Sequence, residues 1–360
     1  MRVLATVLAT TALAFSALAA ASAPTPAYPA VVAGRTIEFP ADYGSHPEFR
    51  TEWWYVTGWL TTGEGESLGF QITFFRTKPV IDERNPSAFT PRQLLIAHCA
   101  LSDPTRGRLW RDQKIRRAGL GLAEAAVGDA IVWIDRWSLK REAGAYLARI
   151  DAQEFSLRLK LDPTQPPLLN GEAGVSRKGP APLAASYYYS IPHLRVAGSI
   201  ARNGHEATVS GEAWFDHEWS SEYLDREAAG WDWIGINLDD GSALMAFRIR
   251  GKNGEPRWAG GTWRNAEGTV RVLGPAEVRF APARVWRSPR TGIDYPVSFQ
   301  VTAGALLLEL EPLLDDQEND TRLSSGAIYW EGAVHAYREK RVAGRGYLEL
   351  TGYGEPLRLR

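Results

Sequence analysis

Apolar residues recur at every second position along most of this chain, and that period constrains the fold more than any other feature. Phe155, Leu157, Leu159 and Leu161 alternate with Ser156, Arg158, Lys160 and Asp162, which puts one set on a buried face and the other on a wet face of an extended strand. Asn203-Gly204 separates two such runs, 194–201 and 207–215, and both residue types accept the left-handed backbone of a tight hairpin turn. Further strands are expected at 54–60, 69–76, 94–101, 131–141, 234–238, 243–250, 296–301, 306–310 and 346–352. Helical spacing is scarce; the best stretch is 220–229. The expectation is an all-β chain.

A chain of 360 residues exceeds what one hydrophobic core usually serves, and the pattern reads twice. Glu52-Trp53-Trp54-Tyr55 opens a strand that turns through 63–65 into 68–76, and Gly230-Trp231-Asp232-Trp233 opens another that turns through 239–241 into 244–250. Trp54 and Trp233 stand 179 residues apart. Closing a many-stranded sheet removes its exposed edges, and small barrels can enclose one ligand. Two tandem antiparallel barrels or sandwiches therefore fit, with boundaries at 24–222 and 223–360. The stretch 162–182, rich in Pro with an Asn170-Gly171 turn, reads as a long surface loop of the first half.

Ahead of these lies an apolar run at 3–20 behind Arg2, followed by Ala19, Ala21 and Ala23. Small residues at that spacing suit a signal peptidase, so residues 1–23 read as a signal peptide and the body as periplasmic or secreted. The charge balance, 41 Lys+Arg against 42 Asp+Glu, offers no basic face for nucleic acid. Cys99, the single cysteine, forms no disulfide within the chain and is expected in a buried strand. The aromatic content stands out: 14 Trp, 13 Tyr and 12 Phe, which implies either two ring-filled cores or a hollow for an apolar guest.

Most motifs fail on context. Gly65-Glu66-Ser67-Leu68-Gly69 has the spacing of a serine-hydrolase elbow but bridges two strands, where that motif needs a strand-to-helix turn. His217-Glu218 lacks a second histidine four residues on, and the other histidines are scattered, so neither a metal nor a cofactor is expected. What survives is Trp214-Phe215-Asp216-His217-Glu218-Trp219. On a regular strand Phe215, His217 and Trp219 share one face, and Trp214, Asp216 and Glu218 the other. Such a cluster is either a poised acid and base in a dry pocket or a set of polar caps at a barrel rim. Glu52 and Glu331 beside their tryptophans carry the same two readings. Tyr187-Tyr188-Tyr189 reads first as packing.

Taken in order, Glu52-Trp53-Trp54-Tyr55, Ala97-His98, Tyr188-Tyr189-Ser190-x-Pro192, Trp214-x-Asp216-His217-Glu218-Trp219, Gly230-Trp231-Asp232-Trp233, Tyr329-Trp330-Glu331-Gly332-Ala333 and the run from Gly346 to Tyr353 resemble the AttH/CrtC family. That family includes exported lipocalin-like proteins described as predicted secreted hydrolases, and the carotenoid 1,2-hydratases. The resemblance runs from about Phe39 to Tyr353 and implies two lipocalin-like β domains. In the hydratases a His-x-Trp pair and a Tyr-x-Asp pair on a following strand are implicated in catalysis. His217 and Trp219 match the first pair, whereas the strand 244–250 here has neither tyrosine nor acid.

Two functions follow. One is a pocket for an extended apolar molecule, an isoprenoid or lipid, with acid-catalysed hydration or hydrolysis (a hydro-lyase or hydrolase) inside it. Asp216 would be the acid, His217 its partner, and Trp219 a wall beside the reacting centre. Glu52, Trp54, His98, Tyr189, Trp233 and Glu331 would line the ligand. A pairing of Asp216 with His217 would need a β-bulge, because a regular strand separates them. The other function is a non-enzymatic periplasmic carrier or envelope-assembly factor that meets a transport machinery.

Overall fold

The computed structural model describes residues 28–81, 84–225 and 227–357; the expected signal peptide lies outside them. As the period-two pattern requires, the described chain is built almost wholly of antiparallel strands, in two sheets. The first sheet uses strands from Thr51–Thr62 to His205–Ser220, and the second those from Ala228–Leu238 to Arg341–Leu350. The two share one connection rule: the first strand lies between the second and the last. Thr51–Thr62 pairs with Ser67–Thr77 and His205–Ser220, just as Ala228–Leu238 pairs with Ala243–Gly251 and Arg341–Leu350.

The first sheet curls into a nearly closed barrel. Its end strands Leu94–Ser102 and Trp110–Arg117 return against Ala123–Ala125 and Ile131–Ile134, and Lys114 and Arg116 both grip Asp135. Val56, Phe70, Ile72, Leu157 and Phe215 are among the side chains filling its interior, and Cys99 is buried with them. Phe155–Pro163 shows the predicted alternation of buried and wetter residues. Thr51–Thr62 does not alternate, because its outer face is covered too. The cover is the second sheet. A third apolar layer, including Tyr55, Trp59, Tyr188, Trp214, Trp233 and Tyr347, lies between the two sheets, apart from the second sheet's own core around Ile234, Val297 and Leu308.

The sheets approach closely at Gly69, where a Cβ would lie 2.5 Å from that of Ala333. Only a residue without a side chain allows this approach. From that crossing outward, the side chains of Thr73 and Phe75 on one strand and of Glu331 and Tyr329 on the other border a cavity.

Several local expectations hold. Asn203 and Gly204 both have positive φ, 52° and 77°, in the turn between Arg202 and His205, and Gly65 turns the hairpin that carries Ser67 into a strand. Three do not. The described residues of 220–229 are not helical: one strand ends at Ser220 and the next starts at Ala228, so the demands of the two sheets override the propensity of a short Glu/Ala-rich run. The stretch 131–141 is two strands, broken by Asp135 at φ 52°. The stretch 162–182 is not a free surface loop: Leu168–Leu169 and Val175–Arg177 pair with Ala185–Arg202, and Asn170 and Lys178 are buried.

Candidate functional site

The strand His205–Ser220 is regular through its acidic cluster, pairing residue for residue with Thr51–Thr62 from Ser220 to Val209. No bulge brings Asp216 to His217, so the two point to opposite faces and the pairing entertained from sequence does not form. They belong to different environments.

His217 points into the barrel. Its Nε2 lies 2.9 Å from Glu52 and its Nδ1 3.1 Å from the Tyr189 hydroxyl, with Trp54 stacked on the ring and Trp219 beside it. Glu52 also accepts from Arg76 Nε at 2.8 Å and meets His46 Nδ1 at 2.7 Å, while His46 Nε2 reaches Asp42 at 2.9 Å. Burial disfavours the Glu52 carboxylate, but the Arg76 charge and both imidazoles outweigh it and hold Glu52 well below the usual range. Burial likewise opposes charge on His46, yet the Asp42 and Glu52 carboxylates raise its pKa. His217, buried further, is lowered despite Glu52. His46, Glu52 and His217 lie near enough together to hold a metal ion. Their donor atoms, however, are already engaged with one another and with Asp42, Arg76 and Tyr189. This is a charge-balanced, ring-packed core cluster.

Asp216 points the other way, into a cavity of about 290 Å³ between the sheets. Strand register builds this site in two facing rows. Across the first sheet Tyr55 lies opposite Asp216, and Asp216 opposite Ser190; across the second, Trp233 lies opposite Glu349, and Glu349 opposite Glu331. Neighbouring strands are about 4.8 Å apart, so Glu331 and Glu349 are direct cross-strand neighbours. Glu331 is buried, Glu349 is half-buried, and both line the cavity.

Four carboxyls of the cavity differ in their partners. Asp216 accepts from the Tyr188 hydroxyl at 2.8 Å, Ser190 at 2.5 Å and Trp214 Nε1 at 2.7 Å; burial still pushes it up to about 7 against those three donors. Glu218 is paired with Lys178 at 2.8 Å and accepts from Ser186, yet burial keeps its pKa raised and the Lys178 pKa lowered. Glu349 accepts from Trp231 Nε1 at 2.9 Å, and burial raises it to about 7. Glu331 is raised well above the usual range by burial and by the charge of Glu349, against the Tyr55 and Tyr329 hydroxyls beside it, and its Oε1 accepts no hydrogen bond of ordinary geometry among the described residues. Two carboxyls this close in a dry site resist ionising together. The pair therefore keeps a neutral acid near pH 7, as acid catalysis requires.

Rings wall the rest. Tyr55 packs edge-on to Trp233 at 5.3 Å, and Tyr223 lies between Trp53 and Trp231 at 5.0 and 5.5 Å. Trp233 Nε1 donates to the Tyr188 hydroxyl at 3.0 Å. His98 bridges Tyr329 and Ser324, each at 2.9 Å, and burial drops it to about 3, so it is a neutral imidazole.

The residues singled out from sequence thus divide. Asp216, His98, Trp233 and Glu331 meet at the cavity between the sheets. His217, Trp219, Trp54 and Tyr189 belong to the barrel interior, and Glu52 joins them while abutting the cavity wall. Glu349, Lys178, Trp231 and Tyr55 complete the site but went unselected. A visible signal existed for Glu349: it is a lone acid beside Tyr347 on a strand whose other face is Leu348 and Leu350.

The model of the AttH-like family matches residues 30–353. No curated protein matches the chain. Among solved structures it is similar to one assigned as AttH from Nitrosomonas europaea, with 54% identity, a TM-score of 0.86, and coverage of 91% of this chain and 100% of that one. Kievitone hydratase from Nectria haematococca shares the fold at 15% identity and a TM-score of 0.68, over 92% and 97% of the two chains. CghA, solved with Sch210972, aligns at 13% identity and a TM-score of 0.50, over 84% and 89%. With a family model spanning nearly its full length and a relative more than half identical, the chain belongs to the AttH-like family.

Proposed function

We propose that this is an exported acid catalyst of the hydratase or hydrolase type, working on an apolar molecule held between its two sheets. One observation carries the reading: Glu331 and Glu349 oppose each other in a ring-walled cavity, and a Glu331 oxygen there accepts no hydrogen bond of ordinary geometry among the described residues. A buried carboxyl oxygen without a good hydrogen bond costs stability, and a simple carrier gains nothing from that cost. The cavity, at about 290 Å³, sits at the small end of ligand sites. It suits a compact guest better than a long isoprenoid.

In the hydration reading the Glu331–Glu349 pair gives its proton to one carbon of a double bond, whose π electrons form the new C–H bond. The neighbouring carbon becomes cationic beside the faces of Tyr55 and Trp233, which stabilise positive charge. Water adds to that carbon, and its surplus proton returns to the carboxylate. In the hydrolysis reading the same proton goes to a leaving oxygen and water replaces it. Asp216, with its oxygens occupied, fixes the Tyr188 hydroxyl at the wall. The kievitone hydratase fold likeness supports this class of chemistry.

The test begins by extracting the native guest with organic solvent and identifying it by mass spectrometry. That guest is then incubated with protein in heavy-oxygen water and in D2O. Hydration installs one heavy oxygen and one deuterium on carbon; hydrolysis installs the oxygen alone. Glu331→Gln should lower either incorporation at least 100-fold. A guest returned without label by the wild-type protein would mark a carrier.

A further inference from the structure

The cavity has a charge imbalance that acid catalysis alone does not demand. Five carboxyls border it, Glu52, Asp216, Glu218, Glu331 and Glu349; of these Glu218 is paired with Lys178. Arg76 is committed to Glu52, and His98 is neutral. The remaining polar groups in the wall include the hydroxyls of Tyr55, Tyr188, Tyr223 and Tyr329, which burial keeps protonated. Asp216, Glu331 and Glu349 therefore face the hollow outside any ion pair, and Glu331 Oε1 and the Tyr55 hydroxyl, side by side, make no hydrogen bond of ordinary geometry among the described residues.

The walls around those acids are rings. Trp231 is hydrogen-bonded to Glu349 itself, Tyr223 links Trp231 to Trp53, and Tyr55 meets Trp233. Indole and phenol faces attract a desolvated cation, and Trp does so best. Carboxylates behind such rings add direct charge attraction that low dielectric strengthens.

We propose that the cavity between the sheets is an organic-cation site, which takes a compact monovalent ammonium ion between the Glu331–Glu349 pair and the indoles of Trp231 and Trp233. This deepens the proposed function, since an ammonium ion presents the positive charge that the reacting carbon would carry there. It rests on that reading only in placing the carboxyl pair at the guest. An entering cation ionises a carboxyl that is neutral in the empty site, so binding releases a proton to solvent and tightens as pH rises from 6 to 8.

Calorimetry on the whole mature protein tests this with two probes of one shape: benzyltrimethylammonium and its uncharged carbon isostere neopentylbenzene. Measurements in two buffers of different ionisation enthalpy count the protons released. At pH 8 the ammonium should bind at least tenfold more tightly than the isostere, and at pH 6 its binding should release between half a proton and one proton. Glu331→Gln with Glu349→Gln should weaken the ammonium at least tenfold and leave the isostere within threefold. If that double variant fails to fold, Glu349→Gln alone and the wild-type proton count serve. Equal or tighter binding of the isostere, binding without proton release, or no binding of the ammonium overturns the proposal. Label incorporation with no ammonium preference would retain the acid catalyst and discard the cation site. An ammonium preference with no label incorporation would do the reverse.

Discussion

The two faces of the strand His205–Ser220 carry the same kinds of side chain to opposite ends. On the inner face, His217 joins Glu52, His46, Arg76 and Asp42, where each charge has a counter-charge although Arg76 Nη1 has no acceptor among the described residues. On the outer face, Asp216 and Glu218 look into a cavity with Glu331 and Glu349, where acids outnumber cations. Both sets are buried, apart from the half-buried Glu349. What separates them is charge pairing: the inner carboxylates each meet a cation, whereas the outer set keeps a carboxyl oxygen without a hydrogen bond and room beside it. Burial of ionisable groups alone therefore does not mark a site; an unanswered charge next to a hollow does.

That contrast can be broken at several points. The largest expected effect is on the inner face. Glu52→Ala leaves the buried Arg76 guanidinium without its carboxylate and strips His46 and His217 of an acceptor, at a cost of about 3–5 kcal/mol. Urea unfolding measures it, and a loss under about 1 kcal/mol would show that the cluster is not the balanced unit described.

Glu349→Gln should act in the opposite sense, with a sign that depends on pH. Glu349 ionises near 7 in the folded chain and near 4.5 when free. The folded state thus favours its neutral form. Its contribution is complete below about pH 4.5 and is lost as the pH rises through 7. The glutamine variant has no such loss, so its stability relative to wild type should grow between pH 5 and 8, by up to about 3 kcal/mol. A difference that is flat with pH would mean that Glu349 is ionised throughout.

The smallest effect sharpens the boundary between the faces. Trp219 stacks on His46 at 3.8 Å inside the barrel. Trp219→Phe should cost about 1–2 kcal/mol of stability while leaving ammonium binding between the sheets within twofold. A tenfold change in that binding would show that the barrel interior and the cavity act together.

Much of this was legible before any coordinates. The period-two runs, the Asn203-Gly204 turn and the spacing of the tryptophan motifs specify strands, hairpins and a two-part all-β chain, and the resemblance to the AttH/CrtC family implies that its parts are lipocalin-like. The segment 214–219 was also visible as chemically loaded, and strand geometry already assigned Asp216 and His217 to opposite faces. What no single strand reveals is which face meets a partner. Glu331 and Glu349 are 18 residues apart and neither alone differs from a rim carboxylate; only the hairpin register makes them neighbours. His217 looked more reactive than either, yet the fold surrounds it with complete partners. Sequence determined the strands, the ring-rich composition and the residues able to do acid chemistry. The packing of one sheet on the other decided which of them stay unpaired, because desolvation and counter-charge are set by groups far away along the chain.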